Sequence, residues 1–231
     1  MTALERLPIT GLVPPWVRHL HRTRYVFASQ FVSGKTVIDC ACGSGEGSRA
    51  LLEAGAARVE AFDISGAAVA EAQRRFGVPK LSFQIGDAAK LPLASGGSDV
   101  YVSFETIEHV REPEALLAEA VRVLKPGGLF ISSTPNRTVT NPGKALPDHP
   151  RNPFHFREYA RREFETLLDS FFSRVRLLGQ NRVDSARISR WAWLNQIRKA
   201  PGWLLSQPGR HAVVEMEPGF EYEYLVAVCT R

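Results

Sequence analysis

The chain of 231 residues has 44% hydrophobic and 23% charged residues, a composition typical of a globular protein. No apolar stretch approaches the ~20 residues that span a bilayer, and the N-terminus lacks the apolar core of a signal peptide, which predicts a cytoplasmic protein. Three cysteines, an odd number, are a poor basis for a disulfide framework. The formal net charge of +5 favours a solvated basic surface, with an acidic partner such as nucleic acid or anionic lipid as the alternative.

Short apolar runs alternate with amphipathic helical stretches along the chain, as in βαβ units around a parallel sheet. The predicted strands cover residues 36–41, 58–62, 81–85, 99–103, 129–133, 173–180 and 222–229. The predicted helices cover residues 15–32, 46–55, 66–76, 113–124 and 157–171, with a helix-stop turn at 125–128. This pattern predicts one α/β domain over residues 1–231: a doubly wound, mostly parallel seven-stranded sheet with helices on both faces and an antiparallel C-terminal strand.

Three segments flank or interrupt this alternation. Residues 1–34 are expected to form an N-terminal helical cap. The proline-rich residues 135–156 predict a functional loop that forms part of an acceptor pocket, since structureless loops of that length are uncommon. Residues 183–212 are rich in tryptophan and arginine, and we expect a packed or lid-like helix there, with a helix on a membrane surface as the alternative.

A glycine-rich loop follows the first predicted strand, at Gly43 and Gly45. Glycines at this place let the chain turn tightly into a helix and let a ligand approach the backbone. Asp39 lies on the strand before the loop, whereas dinucleotide-binding proteins carry their acidic residue about 20 residues after it. A carboxylate before the loop suits a ligand with an amino-acid end, because the ammonium group of such a ligand needs an acceptor.

Two more acidic residues end the next two predicted strands. Asp63 is placed to accept hydrogen bonds from both hydroxyls of a ribose, and Asp87 to accept one from an exocyclic adenine amine. Ligands of open parallel sheets bind outside the carboxyl ends of the strands, so three acids on successive strands converge on one crevice. One such acid would be an ordinary turn residue, but three in register with a glycine loop indicate a ligand site.

Six short motifs occur in a fixed order over about half the chain: Asp39–Gly45, Phe62–Ser65, Gly86–Ala88, Ser103–His109, Arg122–Gly128 and Ser133–Asn136. Together they resemble the class I, Rossmann-like S-adenosylmethionine-dependent methyltransferases, near the subgroup of ubiquinone-type and bacterial sugar and natural-product O-methyltransferases. Ala41 departs from the family pattern, which usually has its first glycine there but often tolerates alanine. The resemblance implies S-adenosylmethionine as cofactor, S-adenosylhomocysteine as product and a small-molecule methyl acceptor.

The resemblance also implies a cofactor site formed by Tyr25, Asp39, Ala41, Gly43, Gly45, Asp63, Ile64, Asp87, Ala88 and Phe104. The loop backbone would lie against the methionine part of the cofactor, Asp63 against the ribose, and Asp87 against the adenine edge. Phe104 would line the cleft near the sulfonium, and Tyr25 would cover the methionine end. Packing in the core is the alternative for both aromatic residues.

An alcohol acceptor benefits from a general base, most often a histidine or a carboxylate. His155, at the end of the long loop, is the first candidate for that base or for a substrate ligand, with helix capping as the alternative. The subgroup that the chain resembles has a comparable His-and-Glu element facing the acceptor. His109 is the second catalytic candidate and is more consistent with a wall of the cleft, while Glu105 and Glu108 are also explained by solvated or structural roles.

The motifs do not separate a hydroxyl of a sugar, natural product or quinone precursor from an amine as acceptor. Residues 103–106 lack the Asn/Asp-Pro-Pro-Tyr/Phe tetrapeptide of base-modifying enzymes, which argues against a nucleic-acid methyltransferase. The acid before the glycine loop argues against a nicotinamide oxidoreductase, and the complete set of acids against a non-catalytic binding module. Asp148 and Asp184 are isolated rather than clustered, which predicts that no metal is needed.

Overall fold

The computed structural model describes residues 15–188 and 211–231. Within these ranges the strands are β1 Thr36–Cys40, β2 Arg58–Asp63, β3 Leu81–Ile85, β4 Ser98–Phe104, β5 Leu124–Pro135, β6 Arg174–Asp184, β7 Val213–Glu215 and β8 Phe220–Thr230. The α-helices are α1 Pro15–Ala28, α2 Glu46–Glu53, α3 Gly66–Phe76, α4 Pro113–Val123, α5 Arg137–Thr140 and α6 Arg161–Asp169. The first 14 residues of the predicted cap, and most of the predicted insertion at 183–212, lie outside the described residues.

The strands form one sheet in the order β3-β2-β1-β4-β5-β8-β6-β7. Strands β1 to β5 pair in parallel, and β8 lies antiparallel between β5 and β6. The predicted doubly wound, mostly parallel sheet with an antiparallel C-terminal strand is thereby confirmed. The order reverses between β1 and β4, so a ligand crevice is expected outside the carboxyl ends of these two strands.

The described residues contain one strand more than the seven that we predicted. Val213–Glu215 pair antiparallel with the Leu178–Gln180 part of β6 and form the edge of the sheet. A run of three residues carries too little alternation to be distinguished from a loop by its pattern, so only the pairing with β6 identifies it as a strand.

Alternate residues of the central strands face opposite sides of the sheet. Ile38 and Tyr101 belong to one buried cluster, which also contains apolar residues of α4 and α6. Val37 and Val100, their neighbours in sequence, belong to a second cluster with apolar residues of α2 and α3. Helices therefore cover both faces, and the carboxyl ends of the strands are where a ligand has access.

Two boundaries differ from the prediction for identifiable reasons. Helix α6 begins at Arg161 rather than at residue 157, because Tyr159 still forms a β-bridge with Asn136. Residues 125–128, predicted as a helix-stop turn, belong to β5, which carries an irregularity that shifts its register against β4. Both differences arise from strand pairing, which depends on distant residues.

The remaining differences are extensions and short turns. The N-terminal helix ends at Ala28 and is followed by a 3-10 turn over Ser29–Phe31. The loop predicted over 135–156 contains the four-residue helix α5, capped by the Asn136 side chain, which accepts the Thr138 N–H at 3.1 Å. Among the described residues, none of the helices is long and apolar enough to cross a membrane.

Candidate active site

The glycine loop between β1 and α2 has a left-handed backbone at three alternate positions. The φ angles are 61° at Ala41, 52° at Gly43 and 80° at Gly45. Left-handed φ is strained for residues with a side chain, which explains why alanine at position 41 is a departure from the usual glycine. The Cβ position of Gly43 has no heavy atom within 4 Å, whereas that of Gly45 lies 2.7 Å from the Phe83 ring. Gly43 is thus the point at which a ligand can approach the backbone.

Asp39 is fully buried beneath this loop. Its Oδ2 accepts the Ser48 hydroxyl at 2.6 Å, and its Oδ1 accepts the Tyr25 hydroxyl at 3.1 Å. Burial raises the pKa of Asp39 to about 7, against the opposing effect of these two hydrogen bonds. A cationic group placed near Asp39 would stabilise the ionised carboxylate.

Tyr25 covers the start of α2. Its ring atoms lie 2.0–2.3 Å from where a Cβ at Gly47 would stand, so that position admits no side chain. The ring also packs edge-on against Phe104, with 5.1 Å between centroids. The structure therefore brings Tyr25, Asp39 and Phe104 together at the carboxyl ends of β1 and β4.

Asp63, at the end of β2, is held by backbone N–H groups. Its Oδ2 accepts the Gly43 N–H at 2.9 Å and its Oδ1 accepts the Ser65 N–H at 2.8 Å. A carboxylate oxygen can accept more than one hydrogen bond, so these two bonds orient the Asp63 side chain and leave acceptor capacity. The glycine loop and the second acid are therefore joined into one unit.

Two large apolar side chains are exposed beside Asp63. Ile64 is 57% exposed and Ile85 is 62% exposed, and a Cβ at Gly66 would lie 3.3 Å from the Ile85 side chain. Adjacent exposed apolar side chains at strand ends are typical of ligand surfaces. Ile85 was not among the predicted site residues, although its place as the last residue of β3 was a usable signal.

Asp87 is exposed and follows β3 by two residues. Its Oδ1 accepts the Ala89 N–H at 2.9 Å, and its carbonyl accepts the Lys90 N–H at 2.9 Å. The side chain of Ala88 is partly buried against the core. Asp87 therefore also has the turn role that acids at strand ends commonly have.

The residue after β4 links the crevice to the N-terminal helix. Glu105 has φ 50° and its Oε1 accepts the Ser133 hydroxyl at 2.7 Å. The same Oε1 lies 3.2 Å from Nη1 of Arg24, which is 1% exposed. Arg24 also donates to Gln180 at 2.7 Å and lies 4.3 Å from the centroid of the Tyr224 ring. Sequence reasoning missed this ion pair, because nothing in the α1 pattern marks Arg24 as buried.

Glu108, His109, His155 and Glu158 form a group that we call the histidine cluster. The two imidazole rings meet edge to face with 4.7 Å between centroids. His155 Nδ1 lies 2.6 Å from Glu158 Oε1, and its Nε2 lies 2.8 Å from the Asn152 amide nitrogen. The structure therefore brings both predicted catalytic histidines together.

The two carboxylates of the histidine cluster have opposite environments. Burial, reinforced by the charge of Glu105, raises the pKa of Glu108 well above its ordinary value. Burial alone would also raise the pKa of Glu158, but hydrogen bonds from His155, Thr140 and Asn141 outweigh it and hold the pKa below the ordinary value. Glu158 is thus an ionised partner for His155, and the 2.6 Å contact is a carboxylate–imidazole hydrogen bond.

The long loop also borders a pocket of about 340 Å³. It is lined by Arg137, Thr138, Asn141, Pro142, Gly143, Lys144, Ala160 and Ile188. Asn141 belongs both to this pocket and to the surroundings of the histidine cluster, because its amide donates to Glu158 at 2.6 Å. The predicted acceptor loop therefore combines a pocket with the residues that position His155.

Comparisons with known proteins agree with this geometry. A family described as "Methyltransferase domain" matches residues 38–132. A probable S-adenosylmethionine-dependent methyltransferase of Mycolicibacterium smegmatis is 36% identical over 71% of this chain and 64% of its own length. A ubiquinone/menaquinone biosynthesis C-methyltransferase of Caulobacter vibrioides is 34% identical over 47% of each chain. The matched region thus spans less than two thirds of either relative.

Solved structures show the same fold. A protein of Thermotoga maritima, described as a possible histamine N-methyltransferase, superimposes with a TM-score of 0.64 at 18% identity, covering 93% of this chain and 94% of its own. The fold is that of a Rossmann-like α/β protein with a crevice at the carboxyl ends of its parallel strands. Residues 38–132 match the methyltransferase domain family, and this match, together with the S-adenosylmethionine-dependent relatives, indicates S-adenosylmethionine as the cofactor.

Proposed function

We propose that this protein is a cytoplasmic enzyme that transfers a methyl group from S-adenosylmethionine to a hydroxyl of a small molecule such as a sugar, natural product or quinone precursor. The observation that carries the proposal is the position of the histidine cluster. It begins four residues after Phe104, where β4 ends beside the glycine loop. A proton-accepting group and a nucleoside-binding crevice therefore adjoin the same strand end.

The residues of the crevice suit the proposed cofactor. The open space at Gly43 accommodates the methionine part close to the backbone, and the buried Asp39 carboxylate lies below it to balance the ammonium charge. Asp63 keeps acceptor capacity for the ribose hydroxyls, and the exposed Ile64 and Ile85 offer apolar surface to the adenine. When bound, the cofactor supplies a methyl group on a positively charged sulfur.

The acceptor side favours a hydroxyl. A neutral amine is nucleophilic enough to accept the methyl group without first losing a proton. An alcohol is a weaker nucleophile and benefits from a histidine that takes its proton. Glu158 accepts the hydrogen bond from Nδ1–H of His155, so the lone pair that can take a proton is on Nε2. His109 packs against the same ring. We propose His155 as the residue that activates the hydroxyl and His109 as part of the wall that positions it.

The likeness to relatives leaves the acceptor atom open. The relatives include a C-methyltransferase by name, and a structural neighbour is described as a possible N-methyltransferase. The choice of oxygen therefore depends on the His155–Glu158 pair, for which a neutral amine acceptor would have no need. We do not propose a nucleic-acid substrate, since residues 103–106 lack the tetrapeptide that stacks a flipped base.

Calorimetric titration with S-adenosylhomocysteine tests the cofactor site. We expect Asp63→Ala to weaken binding about 100-fold, because two hydrogen bonds from hydroxyls to a charged acceptor are lost. Asp169→Ala, which removes an exposed carboxylate at the end of α6, is the control and should bind like the unaltered protein. Absence of binding to the folded, unaltered protein would refute the proposal.

Mass spectrometry of acceptor panels tests the acceptor atom. Matched hydroxyl and amine compounds are incubated with S-adenosylmethionine carrying a deuterated methyl group, and the labelled products are identified. Label on oxygen supports the proposal. Label confined to nitrogen would overturn the choice of hydroxyl while leaving the cofactor assignment intact.

A further inference from the structure

Three side chains of the histidine cluster converge on one point. One possible ligand atom from each of Glu108, His109 and His155 lies within 4.8 Å of those from the other two. Glu108 and His109 lie on a 3-10 turn, Ile107–His109, after β4, and His155 lies on the long loop, so the set comes from separate segments of the chain. Two imidazoles and one carboxylate are a ligand set used for zinc and for non-haem iron.

Both imidazoles are oriented in the way that metal-binding histidines are. His155 directs Nδ1 at the Glu158 carboxylate, at 2.6 Å, and His109 directs Nδ1 at the Phe154 carbonyl, at 3.2 Å. Since both partners are acceptors, each Nδ1 carries the hydrogen, and the lone pair of each ring is on Nε2. Metal-ligating histidines almost always donate their second ring nitrogen to a carboxylate or a backbone carbonyl in this way.

The carboxylate supplies an independent sign of a missing ligand. Glu108 is fully buried, and its Oε2 accepts the Thr134 hydroxyl at 3.0 Å. Its Oε1 is buried with no hydrogen-bond partner among the described residues. A buried acceptor without a partner is unfavourable, and a cation at this place would supply the missing interaction.

We propose that Glu108 Oε1, His109 Nε2 and His155 Nε2 bind one divalent first-row transition-metal ion. Imidazole ligands favour Zn²⁺, Co²⁺ or Fe²⁺ over Mg²⁺ and Ca²⁺, which prefer oxygen ligands. The Asn152 amide now donates to His155 Nε2 at 2.8 Å and must turn away when the ion binds. An ion at this place requires bonds of about 2.0–2.2 Å to the three atoms.

The ion would add a role for the histidine cluster to the proposed methyl transfer. The catalytic role of the ion rests on that proposed function. Three protein ligands leave coordination positions open, as in catalytic zinc sites. A hydroxyl oxygen bound there loses its proton to water more readily, and the oxygen keeps the electron pair that attacks the methyl group. His155 then acts as a ligand of the ion rather than as the proton acceptor. The expectation of metal independence rested on isolated acids, whereas this ligand set consists mostly of histidines brought together by the fold.

Metal titration of the chelator-treated protein tests the site without cofactor or acceptor. Zn²⁺ binding is followed by calorimetry and Co²⁺ binding by visible absorption, with Mg²⁺ for contrast. We expect one ion per chain and Co²⁺ bands typical of nitrogen and oxygen ligands. Glu108→Gln and His155→Ala should weaken binding at least about 100-fold, more than the 10–100-fold expected for Glu158→Gln, which removes an orienting partner only.

Two variants provide matched controls. His149→Ala removes an exposed histidine of the same loop, and Glu112→Gln removes an exposed carboxylate next to α4. Both should bind the ion like the unaltered protein, and circular dichroism verifies that every variant is folded. Equal binding by the ligand variants and the controls would overturn the proposal, as would Mg²⁺ binding as tight as Zn²⁺ binding.

Titration with S-adenosylhomocysteine separates this proposal from the proposed function. Metal binding without S-adenosylhomocysteine binding would refute the methyltransferase proposal and leave the metal site intact. S-adenosylhomocysteine binding without metal binding would refute the metal site and leave the methyltransferase proposal intact. If both bind, loss of methyl transfer after chelation and its recovery with Zn²⁺ or Co²⁺ supports the role of the ion, and unchanged transfer in chelator contradicts that role.

Discussion

The two walls of the crevice are assembled in different ways. The wall beside β1, β2 and β3 consists of the backbone of one loop and single side chains at strand ends, such as Asp63, which accepts the Gly43 N–H. The wall beside β4 and β5 is the histidine cluster, where His109 bonds to the Phe154 carbonyl, 45 residues away in sequence. The first wall depends on local chain geometry, and the second on the path of a long loop.

This difference indicates that the two walls can be changed separately. Side chains far apart and without shared partners contribute almost additively, so damage to the histidine cluster should spare cofactor binding. A rigid strand-end wall suits a cofactor common to a whole family, and a loop-built wall suits an acceptor that varies among its members. Single substitutions on either wall test that independence.

Replacing His155 should impair methyl transfer to the acceptor without changing cofactor binding. We expect His155→Ala to lower turnover by roughly 10²–10⁴-fold, whether the imidazole accepts the proton or holds an ion that acidifies the hydroxyl. The dissociation constant for S-adenosylhomocysteine should stay unchanged. Steady-state kinetics and calorimetry on the same preparations measure both quantities.

His149→Ala is the control for the His155 variant and should keep the turnover of the unaltered protein. A parallel loss of turnover and of cofactor affinity in His155→Ala would contradict the independence of the two walls. It would indicate that the histidine cluster stabilises the fold around the crevice.

The glycine loop allows a sharper test within the first wall. Gly45→Ala would place a Cβ 2.7 Å from the Phe83 ring at a φ of 80°, so we expect the free energy of unfolding to fall by roughly 2–4 kcal/mol. Gly43→Ala has only the backbone strain, about 1 kcal/mol, because its Cβ position is open. Its methyl group would instead occupy the ligand space and weaken S-adenosylhomocysteine binding. Urea unfolding and calorimetry distinguish the two; equal destabilisation would count against the packing around Gly45.

Buried Asp39 should give the stability a pH dependence. Burial raises the pKa of Asp39 to about 7 in the folded protein, whereas the unfolded chain has an ordinary pKa near 3.9. Between these two pH values the folded state keeps a proton that the unfolded chain has lost. The stability that this proton contributes is present at low pH and is lost as the pH rises to about 7. Relative to Asp39→Asn, the unaltered protein should therefore lose roughly 1–3 kcal/mol of unfolding free energy between pH 4 and pH 8.

Urea unfolding of both proteins across that pH range, without cofactor, measures the difference. Parallel stability curves for the two proteins would show that Asp39 is ionised in the folded state throughout. In that case its carboxylate would need a stronger source of stabilisation than the Ser48 and Tyr25 hydroxyls.

The sequence identified His155 as a catalytic candidate but not the contacts that His155 makes with distant residues. His155 was selected because it follows a long loop near a strand end, and Glu158 is its near neighbour in sequence. The contact with His109 and the unpartnered oxygen of Glu108 depend on how the loop returns over β4, which no spacing reports. The ion pair between Arg24 and Glu105 has the same origin, since it joins α1 to the end of β4.

The residue pattern alone predicted the parallel sheet, the glycine loop and the acids at or near the carboxyl ends of β1, β2 and β3. These features arise from interactions within a strand–turn–helix unit, where residue type and spacing leave few conformations open. The eighth strand, the exposed face of Ile85 and the convergence of two histidines with a buried carboxylate were recognisable only in the folded chain. Those features depend on which distant segments pack together, and the free energy that selects the packing is spread over the whole core.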